Sequence, residues 1–222
     1  MKQPPFDLIV FDYDGVVADS ELLNNTVLVD LLNGIGLPTT LDYALTHYMG
    51  RRWADSEVLI SERLGAPCPP GFQNDWFENC HRRTEAELRA VSGFDTFLQN
   101  RSEKICIASS SPPEWIELGL RQFGAVGAFE DRIFSGAVHV TRGKPHPDLF
   151  LYSANTMNSP PERALVIEDS AAGIIGGVAA GMTVVGLCAG GHIRDGHADM
   201  LKAAGAHHVF ESYSQIEDWL SS

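Results

Sequence analysis

A chain of 222 residues with 44% hydrophobic content can bury a large core, as one domain or as a domain with a small satellite. Its formal net charge of -13 repels polyanions, which argues against nucleic acid and anionic membranes as partners and requires that any phosphate be met by few, well-placed cations. The four cysteines, Cys68, Cys80, Cys106 and Cys188, show no CxxC spacing, so neither disulfides nor zinc are expected.

Met1-Lys2-Gln3-Pro4-Pro5 leads straight into the first predicted strand, and the sequence shows neither a long apolar leader nor a membrane-length run; the expectation is a cytoplasmic protein. Leu8-Ile9-Val10-Phe11 is an uninterrupted apolar run, which fits a strand buried on both faces of a parallel sheet. It ends in Asp12-Tyr13-Asp14-Gly15. Two carboxylates two residues apart on an extended chain project to the same side, and Gly15 lets the backbone turn away. Like charges so close raise each other's pKa unless a cation lies between them, and a hard ion such as Mg²⁺ suits oxygen ligands. A strand ending in a solvated polar turn is the plainer alternative. A calcium loop fails on spacing: it needs glycine sixth and glutamate twelfth, and counting from Asp12 gives Val17 and Leu23.

After Ser20 the period becomes helical, with Leu22, Leu23, Val27, Leu28, Leu31 and Leu32 ahead of Gly34 and Gly36. Further helices are predicted over 43–48, 53–64 and 72–88, separated by Gly65-Ala66-Pro67 and Pro69-Pro70-Gly71. This is an all-helical insert of roughly seventy residues, the size of a small satellite unit. From Gly93 strands and helices alternate, which implies parallel pairing with crossover connections. Strands are predicted over 104–108, 163–167, 183–187 and 207–210, with helices over 112–123, 149–157 and 213–220.

In such a sheet ligands bind beyond the carboxyl ends of the strands, so the residues just after each apolar run carry most weight. Ser109-Ser110-Ser111 offers a hydroxyl and successive backbone N–H groups that could hold a phosphate, or merely cap a helix. Gly143-Lys144-Pro145-His146-Pro147-Asp148 fixes one lysine in a proline-bounded turn. It could pair a carboxylate with a phosphate, or be a solvated loop lysine. Leu165-Val166-Ile167-Glu168-Asp169 repeats the opening pattern of an apolar strand ending in acids, one of which could simply cap the following helix. The histidines, among them His47, His81, His146, His192, His197, His207 and His208, show no metal-ligand spacing and read as surface or structural groups.

Taken in order, Asp12-Tyr13-Asp14-Gly15 with Asp19-Ser20, then Ser109, then Lys144 in its Lys-Pro-x-Pro-Asp turn, then Glu168-Asp169, resemble the four motifs of the haloacid dehalogenase-like hydrolase superfamily. The likeness covers most of the chain and is closest to the phosphatase and β-phosphoglucomutase-like branch. Dehalogenases lack an aspartate at the second position, so Asp14 points to phosphoryl chemistry. The resemblance implies an α/β fold, a Rossmann-like three-layer parallel-sheet core (residues 1–19 and 93–222) with an inserted helical cap (residues 20–92). It further implies Asp12 as nucleophile and Asp14 as general acid and base, with Ser109, Ser110 and Lys144 holding the phosphate. Mg²⁺ would be bound by the Asp12 side chain, the Asp14 backbone carbonyl and Asp169, with help from Glu168.

The resemblance thus implies a Mg²⁺-dependent phosphatase, expected to be monomeric, acting on a small phosphorylated metabolite such as a sugar phosphate. Asn24 is expected at the substrate, and cap residues Arg51 and Arg52, in Gly50-Arg51-Arg52-Trp53, could meet an anionic substrate group or lie solvated. The nearest rival is a phosphoglucomutase-like isomerase that returns phosphate to a second hydroxyl. A non-catalytic phosphate-binding module is the rival of another class, and it would require a lost nucleophile, metal acid or lysine, all of which are present. Mutase-like members carry histidine where this chain has Asn24 and arginine where it has Trp53, and both departures favour release of phosphate to water.

Overall fold

The computed structural model of the protein describes residues 6–49, 51 and 53–222, with Glu85 described by its backbone alone. Arg52 and Gly50, predicted to belong to a cap loop, lie outside the described residues, as does the 1–5 leader. The first strand, β1 (Leu8–Phe11), pairs in parallel with β2 (Lys104–Ser109) on one side and β4 (Ala164–Glu168) on the other. β3 (Ile133–Ser135) extends the sheet beyond β2, and β5 (Thr183–Leu187) and β6 (His208–Phe210) extend it beyond β4. The order is β3-β2-β1-β4-β5-β6, all parallel.

β1 is central, and its side chains alternate between two apolar layers. Leu8 and Val10 join Cys106, Ala108 and Val166, and they pack under α8 (Asp148–Thr156), α9 (Ala171–Ala179) and α10 (His197–Ala203). Ile9 and Phe11 face the opposite layer, which contains α5 (Phe94–Gln99), α6 (Pro113–Phe123), α7 (Val126–Phe129) and α11 (Tyr213–Ser221). A strand covered on both faces has no solvent side to leave polar, which is why its sequence does not alternate. Phe11 meets Phe94, Phe97 and Phe129 edge-on at 5.8 to 6.1 Å, the geometry that ring quadrupoles favour. The architecture is the expected Rossmann-like α/β sandwich.

The insert is helical, as expected: α1 (Glu21–Gly34), α2 (Leu41–His47), α3 (Trp53–Leu64) and α4 (Phe72–Glu87). Leu28, Leu32, Leu37, Ala44, Tyr48, Ile60 and Phe72 form an apolar cluster of their own, distinct from the two layers on the sheet. Thr40 caps α2 by accepting from the Tyr43 amide, so this helix begins two residues before the predicted start.

Among the described residues α5, α7, α10, β3 and a 3-10 turn over Pro161–Arg163 have no counterpart in the sequence prediction. Each spans seven residues or fewer, too short for a period to declare itself. β3 exists because an edge position beside β2 supplies its ladder; Ile107, Ala108 and Ser109 register with Ile133, Phe134 and Ser135. No helix among the described residues is long and apolar enough to cross a membrane.

Candidate active site

Because the strands are parallel, the carboxyl ends of β1, β2 and β4 open on the same edge, and they deliver Asp12, Ser109 and Glu168-Asp169 to one place. Asp12 is 7% exposed, Asp169 3% and Glu168 fully buried. Their carboxylate oxygens lie within 4.8 Å of one another. Lys144 enters from the turn before α8, and its Nζ donates to Asp12 Oδ1 at 2.7 Å and to Glu168 Oε1 at 2.5 Å.

The two adjacent acids are used differently. Glu168 Oε1 is taken by Lys144, and Oε2 accepts from the Asp169 and Ser170 amides at 3.0 and 2.9 Å and from Ser170 Oγ at 2.9 Å. Glu168 therefore belongs to the acidic cluster that sequence reading placed around a metal, yet both of its oxygens are already bonded within the chain. Gly173 leaves it room: a Cβ there would fall 1.7 Å from Glu168 Oε1. Asp169 instead faces Gly15, where φ is +75° and a Cβ would fall 1.8 Å from Asp169 Oδ2. The glycine of Asp12-Tyr13-Asp14-Gly15 is thus required twice, by the backbone turn and by the carboxylate packed on it.

Asp14 stands apart from this cluster. Its Oδ1 accepts from Ser20 Oγ at 2.5 Å and from Trp115 Nε1 at 3.4 Å, and its Oδ2 accepts from Ser111 Oγ at 2.5 Å. Asp19 Oδ1 accepts from the Gly191 amide at 2.7 Å, so both residues of Asp19-Ser20 brace the site. Ser109 is buried and its Oγ accepts from the Ser111 amide at 3.1 Å. Trp115 gave no signal in the sequence, because only the fold brings the first turn of α6 beside Asp14.

His192 and His197 are structural histidines that stand at the site itself. Both are buried, and both touch Asp169: His192 Nε2 lies 2.9 Å from Oδ2, and His197 Nε2 donates to the backbone carbonyl at 2.7 Å. Spacing gave no hint because His192 comes from the loop after β5 and His197 from the start of α10, both distant in sequence from Asp169. Burial lowers the pKa of both imidazoles, which favours their neutral forms.

The electrostatics of the cluster are unbalanced. Burial, and then the charge of Glu168, raise the carboxyl pKa values of Asp12 and Asp169 well above the ordinary 3.8, with Lys144 pulling the other way. Burial also works against the charge on Lys144, but Asp12 and Glu168 outweigh it and hold its pKa above that of an ordinary lysine. One ammonium thus faces three buried acids, and an oxygen-rich pocket with surplus negative charge fits a hard divalent cation.

These groups form one end of a cavity of about 540 Å³ that continues between the sheet edge and the inserted helices. Asn24 and Arg51, both expected at the substrate, line it, as do Ser109, Ser110 and Ser111. Arg51 is exposed at its rim. Trp53 also lines it. Glu21 had no assigned role, yet it is a buried acid on the same wall, and burial raises its pKa well above the ordinary glutamate value.

A family model described as haloacid dehalogenase-like hydrolase matches residues 6–181. The 6-phosphogluconate phosphatase of Escherichia coli is 25% identical over 187 residues, 84% of each chain. The phosphorylated carbohydrates phosphatase of Thermotoga maritima is 25% identical over 187 residues, 79% of this chain and 82% of its own. Among solved structures, a haloacid dehalogenase-like protein of unknown function from Agrobacterium tumefaciens superposes with a TM-score of 0.85 at 30% identity, covering 97% of this chain and 98% of that one.

Proposed function

The chain belongs to the haloacid dehalogenase-like hydrolase family, and from that premise we propose a Mg²⁺-dependent phosphatase that hydrolyses a small sugar phosphate through an aspartyl-phosphate. The observation that carries the reading is the Lys144 bridge, a buried ammonium held between Asp12 and Glu168 at the mouth of a cavity. The names of the Escherichia coli and Thermotoga maritima relatives, both phosphatases of phosphorylated sugars, support the substrate class.

In this reading Asp12 attacks phosphorus in line and the ester oxygen leaves with a proton from Asp14. Asp14 then takes a proton from the water that cleaves the acyl phosphate, which restores Asp12 and releases inorganic phosphate. Ser20 and Ser111 orient Asp14 for both transfers. Lys144, with the Ser109 hydroxyl and the Ser110 amide, holds the phosphoryl oxygens. Asp12, Asp169 and the Asp14 carbonyl would hold Mg²⁺, with Glu168 contributing charge while it anchors Lys144. The cation supplies charge neutralisation for a dianionic ester among carboxylates. Residues 20–92 act as a cap over a core of 1–19 and 93–222, and Asn24 and Arg51 are its contacts with substrate.

Phosphorus NMR of the protein with β-glucose 1-phosphate and Mg²⁺ tests phosphatase against mutase. Net inorganic phosphate, without a bisphosphate primer, is the expected product. Fast, primer-dependent conversion to glucose 6-phosphate with negligible free phosphate would establish the isomerase instead.

Metal binding has a thermal signature. Raised carboxyl pKa values mean that the folded protein holds protons more tightly than the unfolded chain, so this cluster's contribution to stability is greatest below pH 3.8 and is lost as pH rises through the folded pKa values. A bound cation relieves that loss. At a hundred times its dissociation constant Mg²⁺ should add about 2.7 kcal/mol, a rise of roughly 5 to 10 °C in melting temperature for a chain of this size. The rise should be larger at pH 8 than at pH 5. An unshifted melting curve at both pH values would remove the metal from the proposal.

A further inference from the structure

The edge strand β3 supplies no residue to the chemistry proposed above, yet its last residue is knotted into the site. Ser135 is fully buried. Its Oγ donates to the Ser111 backbone carbonyl at 2.7 Å and accepts from the Ala137 amide at 3.1 Å. Its own carbonyl accepts from the Val138 and His139 amides at 3.2 and 2.9 Å, and its amide donates to His139 Nδ1 at 3.0 Å. One residue further on, the Gly136 amide donates to the Ser109 carbonyl at 2.7 Å. Ser135 thus folds the turn after β3 on itself and, through its hydroxyl, ties that turn to the loop after β2.

Ser111 passes this tie to Asp14. Its amide donates to Ser109 Oγ at 3.1 Å and its carbonyl is held by Ser135, so its backbone is pinned on both sides of the Cα. Only the staggered choices about χ1 remain for its hydroxyl, which donates to Asp14 Oδ2 at 2.5 Å. Ser20 and Trp115 both reach Oδ1, so of these three donors only Ser111 restrains the second oxygen. The last torsion of an aspartate is broad, and a carboxyl held at one oxygen alone can turn about it. Contacts at both oxygens fix its plane.

We infer that Ser135 is a positioning residue for the general acid: acting through Ser111, it sets the rotation of the Asp14 carboxyl, on which delivery of a proton to the leaving oxygen depends. The inference rests on the phosphatase reading and deepens it, because it gives a role to a strand outside the four motifs. Without the Ser135 hydroxyl the Ser111 carbonyl loses its donor and the loop loosens at that end. The Ser109 end keeps its anchor in the Gly136 amide, and Asp12 keeps its contact with Lys144. Attack on phosphorus should therefore be spared, while proton delivery, which requires the acid within hydrogen-bond reach of its target, should not.

Phenyl phosphate and 4-nitrophenyl phosphate separate the two effects, since phenolate leaves well only with a proton and 4-nitrophenolate leaves without one. In single-turnover measurements on the full chain with Mg²⁺, Ser135→Ala should slow release from phenyl phosphate by about tenfold or more and from 4-nitrophenyl phosphate by about twofold or less. Ser135→Cys, close in size but a weak donor, should show the same selective loss at about threefold or more, and it carries the test if the alanine variant does not fold. A hydroxyl that merely satisfied a buried carbonyl would affect both esters alike. A loss no greater for phenyl phosphate than for 4-nitrophenyl phosphate, in whichever variant folds, would overturn the inference alone. No release by the wild-type protein from either ester or from β-glucose 1-phosphate would instead overturn the phosphatase reading beneath it.

Discussion

Asp12→Asn is expected to lower kcat by on the order of 10⁴-fold or more while leaving the fold intact. The amide is isosteric but a poor nucleophile, and its oxygen can still accept from Lys144. The substitution also removes one of three crowded acids whose charge burial opposes. Folding should therefore be unharmed. Steady-state phosphate release, read beside a thermal melt of the same preparation, separates the two quantities. A variant with near-normal kcat would show that Asp12 is not the nucleophile; one that failed to fold would show that its charge holds Lys144 in place.

Lys144→Met should have the largest effect on stability. The lysine side chain is 3% exposed and is the positive charge that both Asp12 and Glu168 contact. Its removal leaves a fully buried Glu168 facing Asp12 and Asp169 without compensation, and breaking a buried ion pair from one side costs about 3 to 5 kcal/mol. Because its pKa is raised, Lys144 contributes stability in full below its unfolded pKa and loses it only as pH rises through the folded value. The lysine is thus charged throughout the neutral range. Urea denaturation at pH 7 should reveal the loss, and adding Glu168→Gln to Lys144→Met should recover part of it by removing the orphaned charge, without restoring turnover. Stability equal to wild type in the single variant would mean that the bridge is solvated and not structural.

The structure also separates what local sequence carries from what packing adds. β1 and β4 were legible because strands buried on both faces leave unbroken apolar runs, and the residues that end them are polar for a chemical reason. Asp12, Asp14, Lys144 and Asp169 could be named for the same cause: each stands at a strand end or in a rigid turn, where a charge has no part in the core. α1, α3 and α4 were legible because they are long enough for a helical period to repeat.

Tertiary structure alone decided the rest. Glu168 and Asp169 are neighbours in a sequence that treats them alike, and only the approach of Lys144 and the amides at the start of α9 commits the first, while Gly15, His192 and His197 surround the second. Trp115 and the stacked pair of Trp53 and Trp76 reach the cavity from separate elements, as His192 reaches Asp169, and no periodicity within one element encodes a distance to another. A strand or helix signals itself through its own short-range repeat. The partners of a buried charge are chosen by the chain's path through space, since desolvation makes every such group depend on whichever donors the fold brings within about 3 Å.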